Sequence, residues 1–119
     1  MDLIIGGAYQ GKLSYAREKY GLTDADIYTC SKDGGLDSSV RCIRRLEEYV
    51  WGCLRKGVEP TVDFREDAIL ISRDISAGIV PMDPEQRAWR ERHGATLRQL
   101  AQKADHVYRV FCGIGEELK

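Results

Sequence analysis

Apolar positions along this chain fall into two kinds of set: short unbroken runs and sets at helical spacing. Leu3, Ile4 and Ile5 form a run that reads as a first strand. From Lys12 to Tyr20 the spacing turns helical, with Leu13, Ala16 and Tyr20 on one face and Gly21 as a C-terminal stop. Asp26–Thr29 reads as a short second strand, and Ser31–Gly35 as a loop by its turn residues. A second helix is predicted with Asp37 or Ser38 as its cap, because Ile43, Leu46, Val50 and Leu54 recur at helical spacing before Lys56-Gly57. Gly57–Asp67 is polar and interrupted by proline. Ala68–Ser72 follows as a third strand whose continuous apolar character suits a strand covered on both faces. Asp83-Pro84-Glu85-Gln86 starts a third helix, with a capping residue, proline at the first helical position and Gln86 at the capping-box position. Trp89, His93, Thr96, Leu97, Leu100 and Ala101 trace its inner face, and His106–Phe111 reads as a last strand ended by Gly113-Ile114-Gly115. The order β-α-β-α-β-α-β predicts an α/β fold: a parallel sheet of about four strands with helices on both faces.

Composition adds limits to this picture. At 119 residues the chain reads as a single domain, residues 1–119. A net charge of −1 gives no basic surface for general nucleic-acid binding. No apolar run approaches the roughly 20 residues of a membrane span, and the N-terminus lacks the basic region of a signal peptide, so a cytoplasmic protein is expected. Cys30, Cys42, Cys53 and Cys112 form no CxxC pair and only two histidines are present, so no zinc site is expected. Cys42 and Cys53, eleven residues apart in a helical stretch, are expected on one helix face as reduced core cysteines. Tyr15, Tyr49 and Trp51, on helix faces expected to be exposed, point to self-association into a homo-oligomer.

The candidate chemistry begins where the first strand ends. Gly6, Gly7, Ala8, Tyr9, Gln10, Gly11, Lys12 and Leu13 read GGAYQGKL, the phosphate-binding P-loop pattern except at its last position. Backbone N–H groups of such a loop, the N-terminus of the following helix and Lys12 together make an anion site. The alternative is a tight strand-to-helix turn whose Lys12 is a solvated charge. Leu13 replaces the Ser or Thr whose hydroxyl ordinarily takes magnesium. Ser14 is adjacent, but one residue along a helix is a rotation of about 100°. In a parallel sheet the strands end on one edge, where ligands bind. Four segments are therefore expected to converge: Gly6–Lys12, Thr29–Ser31, Arg73–Gly78 and Cys112–Gly115. Asp74 is the acidic candidate for magnesium or for positioning a nucleophile, set against a solvated loop carboxylate. His93 reads as a satisfied, half-buried histidine, and His106 as lying at the opposite edge from the site. Arg87, Arg90, Glu91 and Arg92 read as a charged helix surface.

Several segments also carry a resemblance. GGAYQGK, Gly78-Ile79-Val80-Pro81, Arg87-Ala88-Trp89-Arg90-Glu91 with Gly94, and Ala104–Tyr108 leading to Gly113-Ile114-Gly115 occur in that order. The chain in this respect resembles the bifunctional adenosylcobinamide kinase / adenosylcobinamide-phosphate guanylyltransferase family of cobalamin biosynthesis, over Met1–Ser31 and from about Ala68 onward.

The resemblance implies an oligomeric P-loop protein that transfers phosphate from ATP or GTP to the aminopropanol hydroxyl of a cobinamide, then attaches GMP through a guanylylated histidine. It implies that Gly6–Lys12 and the adjoining Leu13 and Ser14 hold nucleotide phosphates, with Thr29, Cys30 and Ser31 beside them. Lys12 and Asp74 then carry the catalysis. Family members are markedly longer, and their histidine precedes a Lys-Asp-Gly. Here Lys32-Asp33-Gly34 is kept with no histidine before it. A nucleotidyl–histidine intermediate needs that imidazole, so loss of the guanylyltransferase is expected. The family's additional central strand also has no evident counterpart, which leaves the magnesium ligands incomplete. A kinase-type enzyme and a non-catalytic nucleotide-binding homologue are the two readings.

Overall fold

A computed structural model describes residues 1–75 and 83–119. The Gly78–Pro81 segment of the resemblance, and Arg73–Gly78 beyond Ile75, lie outside the described residues. The elements in chain order are β1 (Asp2–Gly6), α1 (Lys12–Tyr20), β2 (Ile27–Thr29), β3 (Cys42–Arg44), α2 (Leu46–Lys56), β4 (Ile69–Arg73), α3 (Pro84–Lys103), β5 (His106–Phe111) and β6 (Ile114–Glu117). They form one six-stranded sheet in the order β2-β3-β4-β1-β5-β6. Every pairing is parallel except that of β5 with β6. The fold is α/β with a mostly parallel sheet, of six strands rather than about four.

The two extra strands were hidden for different reasons. Cys42–Arg44 lies inside an apolar pattern at helical spacing, yet it pairs with β2 on one side and β4 on the other. The helix begins only at Leu46, with Arg45 as its N-cap. Asp37 caps no helix; its Oδ1 accepts the Ser39 N–H (3.0 Å) in a local turn. The other strand, β6, is a largely exposed edge strand with no apolar run to announce it. Gly113 ends β5 as expected, but as part of a two-residue turn: Cys112 and Gly113 have φ of 52° and 76°. Two successive positive φ values are what a tight hairpin of this hand requires.

Alternation along the central strands sends side chains to two cores. Leu3, Ile43, Leu70 and Val107 pack with Leu46, Val50, Cys53 and Leu100 from α2 and α3. Ile4, Cys42, Ile69, Ile71, Tyr108 and Val110 pack on the other face with Ala16, Leu13 and Tyr20 of α1. Helices therefore cover both faces. Cys42 and Cys53 sit on opposite faces of the sheet, not on one helix face, because Cys42 is a strand residue. Cys30, Cys42 and Cys53 are buried free thiols, whereas Cys112 is exposed at the hairpin turn. Burial raises the Cys30 thiol to about 12 and the Cys42 thiol to about 11, so neither is a thiolate near neutral pH.

The expected exposed aromatic faces do not form. Tyr49 is buried, with its hydroxyl accepting the Thr61 N–H (2.9 Å). Trp51 packs edge-on against Trp89, and Tyr15 tilts against Tyr108. Among the described residues the exposed large apolar ones are instead Tyr9, Val58, Phe111, Ile114 and Leu118. The start of α3 follows the sequence closely: Asp83 accepts the Glu85 N–H (2.9 Å) and Pro84 occupies the first position. No helix among the described residues is long and apolar enough to cross a membrane.

Candidate functional site

The carboxyl ends of β1 and β4 lie side by side, and the helices that follow them, α1 and α3, cover opposite faces. That divergence opens a crevice at the sheet edge, the usual ligand position in an open α/β sheet. The loop after β1 fills it. Gly6 closes the strand so near β5 that a Cβ would lie 2.5 Å from the Val110 carbonyl oxygen, which excludes any side chain. Gly11 caps α1 at φ 86°, where glycine carries no steric penalty. Between them the loop is tied at two further points. Lys12 Nζ donates to the Gly7 carbonyl (2.6 Å), folding the lysine back over the loop. The Gln10 carbonyl accepts the Gly113 N–H (2.8 Å), and its side-chain Oε1 accepts the Cys112 N–H (2.7 Å). The hairpin turn thus buttresses the loop, and Gly6–Lys12 and Cys112–Gly115 do converge.

Beside this loop lies a cleft of about 310 Å³. It is lined by the loop from Ala8 to Ser14 together with Arg44, Arg45, Glu47, Ile71 and Arg73. Four cationic side chains therefore face one carboxylate. Among the described residues none of Arg44, Arg45 and Arg73 is in an ion pair. Burial pulls the Lys12 ammonium below its ordinary value. Glu47 opposes that shift, and the nearby charges of Arg73 and Arg44 add to it. An anion entering the cleft would relieve this repulsion. Seven sequence-derived site residues line this cleft: Ala8, Tyr9, Gln10, Gly11, Lys12, Leu13 and Ser14; Gly6 and Gly7 line a second cavity on the other flank of the loop. Leu13 lines it while packing its side chain against the α1 core.

Thr29, Cys30 and Ser31 are elsewhere. They lie at the carboxyl end of β2, the edge strand, with β3 intervening, and none of them lines the cleft. Cys30 is buried against α2. Asp74 is on the other flank of the loop, where its N–H donates to the Gly6 carbonyl (3.0 Å). It lines that second cavity, of about 380 Å³, with Ile5, Gly6, Gly7, Arg109, Val110 and Phe111.

Arg44, Arg45 and Glu47 were not found by sequence reasoning, because reading 37–54 as one helix erased the strand end that presents them. The available signal was the Arg44-Arg45 pair one residue before Glu47-Glu48, a basic strand end followed by an acidic first helical turn. Arg73 lay in a segment expected at this edge, though no role was given to it. Glu47 is only 4% exposed; its Oε1 accepts the Arg73 N–H (2.9 Å), and its carbonyl accepts Trp89 Nε1–H (2.8 Å). Behind it His93 is 1% exposed, more deeply buried than expected, with Nε2 at 2.8 Å from Ser72 Oγ and 3.0 Å from the Arg73 carbonyl. Arg73 is thus gripped through its N–H by Glu47 and through its carbonyl by His93. His106 opens β5 at the opposite edge, as expected, with Nδ1 at 3.2 Å from a Glu117 oxygen.

β3 is a central strand between β2 and β4, and its carboxyl end carries Arg44. Among the described residues, no group of three or more His, Cys, Asp or Glu is placed to hold a metal ion.

Compared with known proteins, residues 44–118 match the model of the family described as cobinamide kinase / cobinamide phosphate guanyltransferase. The matched stretch begins at Arg44, the last residue of β3, takes in α2, which lies outside the segments that carried the resemblance, and excludes the loop Gly6–Lys12. No curated protein matches the sequence.

Proposed function

The chain belongs to the cobinamide kinase / cobinamide phosphate guanyltransferase family, and from that premise we propose that its cleft holds the phosphates of ATP or GTP for transfer to the aminopropanol hydroxyl of a cobinamide. The observation that carries this reading is the gathering of Lys12, Arg44, Arg45 and Arg73 around the loop that opens α1. Loop N–H groups and the N-terminus of α1 supply fixed dipoles, and the four cations supply charge. In this reading Lys12 exchanges the Gly7 carbonyl for a phosphate oxygen when nucleotide binds.

The acceptor alcohol then occupies the cavity on the other flank of Gly6-Gly7, against Val110 and Phe111. Its hydroxyl oxygen forms a bond to the terminal phosphorus as the bond from that phosphorus to the bridging oxygen breaks. The hydroxyl proton passes to Asp74, acting as general base. Guanylyltransferase activity is read as lost. Of the two histidines, His93 is sealed behind β4 and His106 is at the far edge of the sheet, so neither can serve as the nucleophile.

Magnesium, which this chemistry ordinarily recruits, does not fit the residues present. Leu13 offers no oxygen where a hydroxyl belongs. Glu47, the one carboxylate lining the cleft among the described residues, already has an oxygen committed to the Arg73 N–H. Four cations around it would repel a dication. Leu13 also favours a second reading, nucleotide binding without turnover.

Calorimetric titration of ATP and GTP, paired with an assay for consumption of adenosylcobinamide, tests both. Binding that Lys12→Ala abolishes, with adenosylcobinamide consumed, supports the kinase. The same binding without consumption supports the second reading. Absence of binding at millimolar nucleotide would refute both.

A further inference from the structure

The arginines of the cleft go beyond what a phosphate loop needs. Lys12 and the loop N–H groups already form an anion site, yet three guanidiniums are added, two from strand ends and one from a helix cap. Arg44 ends β3, and Arg73 ends β4. Arg45 forms the N-cap of α2 at φ 58°, a left-handed conformation that a residue with a side chain rarely adopts. Arg73 is held through its backbone by Glu47 and His93 (2.9 and 3.0 Å), so its position at the rim is fixed before any ligand arrives. None of the three guanidiniums is in an ion pair among the described residues, although acidic side chains are as numerous as basic ones in the chain. Guanidiniums stay charged at any ordinary pH and present paired N–H groups that match phosphate oxygens.

We propose that the cleft takes a nucleotide polyphosphate directly, uncomplexed with metal, with Arg44, Arg45 and Arg73 balancing the phosphate charge that a divalent cation otherwise balances. This rests on the reading of the cleft as the nucleotide site. Leu13 and the guanidiniums then fit together: position 13 offers no hydroxyl to a metal, and fixed positive charge stands around the same cleft. The basic end of β3 supplies the part of that charge contributed by Arg44, next to Arg45 at the helix cap.

The test is calorimetry of the full chain with ATP and with GTP, once in EDTA and once in excess magnesium. The dissociation constant in EDTA should lie within about threefold of that in magnesium. Arg44→Gln and Arg45→Gln should each weaken binding in EDTA roughly tenfold or more, while Arg44→Lys and Arg45→Lys recover part of the loss. Unchanged circular-dichroism melts for these variants would exclude a folding defect. Binding in magnesium that weakens more than about a hundredfold in EDTA would overturn the proposal and leave the nucleotide reading standing. Unaltered EDTA binding in the Gln variants would overturn it as well. Failure to bind under either condition would overturn both the proposal and the reading beneath it.

Discussion

Replacing Lys12 with Met keeps most of the side-chain stem and removes the charge, so stability and binding should respond differently. In the free protein Lys12 Nζ makes one hydrogen bond, to the Gly7 carbonyl at 2.6 Å. Losing it costs about 0.5–1.5 kcal/mol. The lysine is also partly desolvated and sits near Arg73 and Arg44, which together hold its ammonium below the ordinary value. Removing the charge relieves that penalty, so the two contributions oppose each other. The net change in unfolding free energy should stay within about 1 kcal/mol of zero. Binding has no such offset. A charge-assisted contact to a phosphate oxygen is worth about 1.5–3 kcal/mol, or roughly a 10- to 150-fold weaker dissociation constant. Urea unfolding of the free variant and calorimetry with ATP and GTP measure the two quantities separately. The reasoning fails if Lys12→Met destabilises the free protein by more than about 3 kcal/mol, since the lysine would then be structural. It fails equally if nucleotide affinity is unchanged.

Other expectations follow from the same geometry. Burial holds the His93 imidazole below its ordinary value of 6.5, so the unfolded chain takes up a proton first as pH falls. Stability should be full above 6.5 and decline below it toward the folded value, by up to about 1.4 kcal/mol per pH unit; urea titrations of the wild type and His93→Gln should show a flatter profile for the variant. Gly6→Ala puts a Cβ 2.5 Å from the Val110 carbonyl oxygen, so β1 and β5 must separate. A loss of about 1–3 kcal/mol is expected, measured by thermal unfolding. Gln10→Ala removes the 2.7 Å bond to the Cys112 N–H and should cost about 1 kcal/mol. Faster hydrogen exchange at Cys112 would report the freed turn.

What the sequence made legible follows from how each element announces itself. β1, α1, β4, the start of α3 and β5 each carry a local signal: an apolar run, a helical spacing ended by glycine, or a capped proline. The fold class and the strand-to-helix loop at Gly6–Lys12 follow from these. β3 lacked such a signal because Cys42 and Ile43 point to opposite sides of the sheet, while Ile43 also falls in register with Leu46 and Val50 of the next helix. Only pairing with β2 and β4 makes three residues a strand, and pairing is a property of the whole sheet. That one missed boundary hid Arg44, Arg45 and Glu47 from the site. Thr29–Ser31 was expected beside the loop because parallel strands end on one edge; β3 and β4 stand between β2 and β1. His93 was read as satisfied and half-buried, whereas it is fully buried with Nδ1 unpartnered among the described residues; its grip on the Arg73 carbonyl was not visible, since it joins α3 to a strand end twenty residues earlier.

The central claim, that the cleft beside Gly6–Ser14 is a nucleotide site, is tested most directly by following backbone amide resonances while GTP or ATP is titrated into the labelled protein. Saturable shifts are expected at Gly7–Ser14, Arg44, Arg45 and Arg73, with little change at His106 or along β6. Shifts confined to other surfaces, or none at millimolar nucleotide, would contradict the claim.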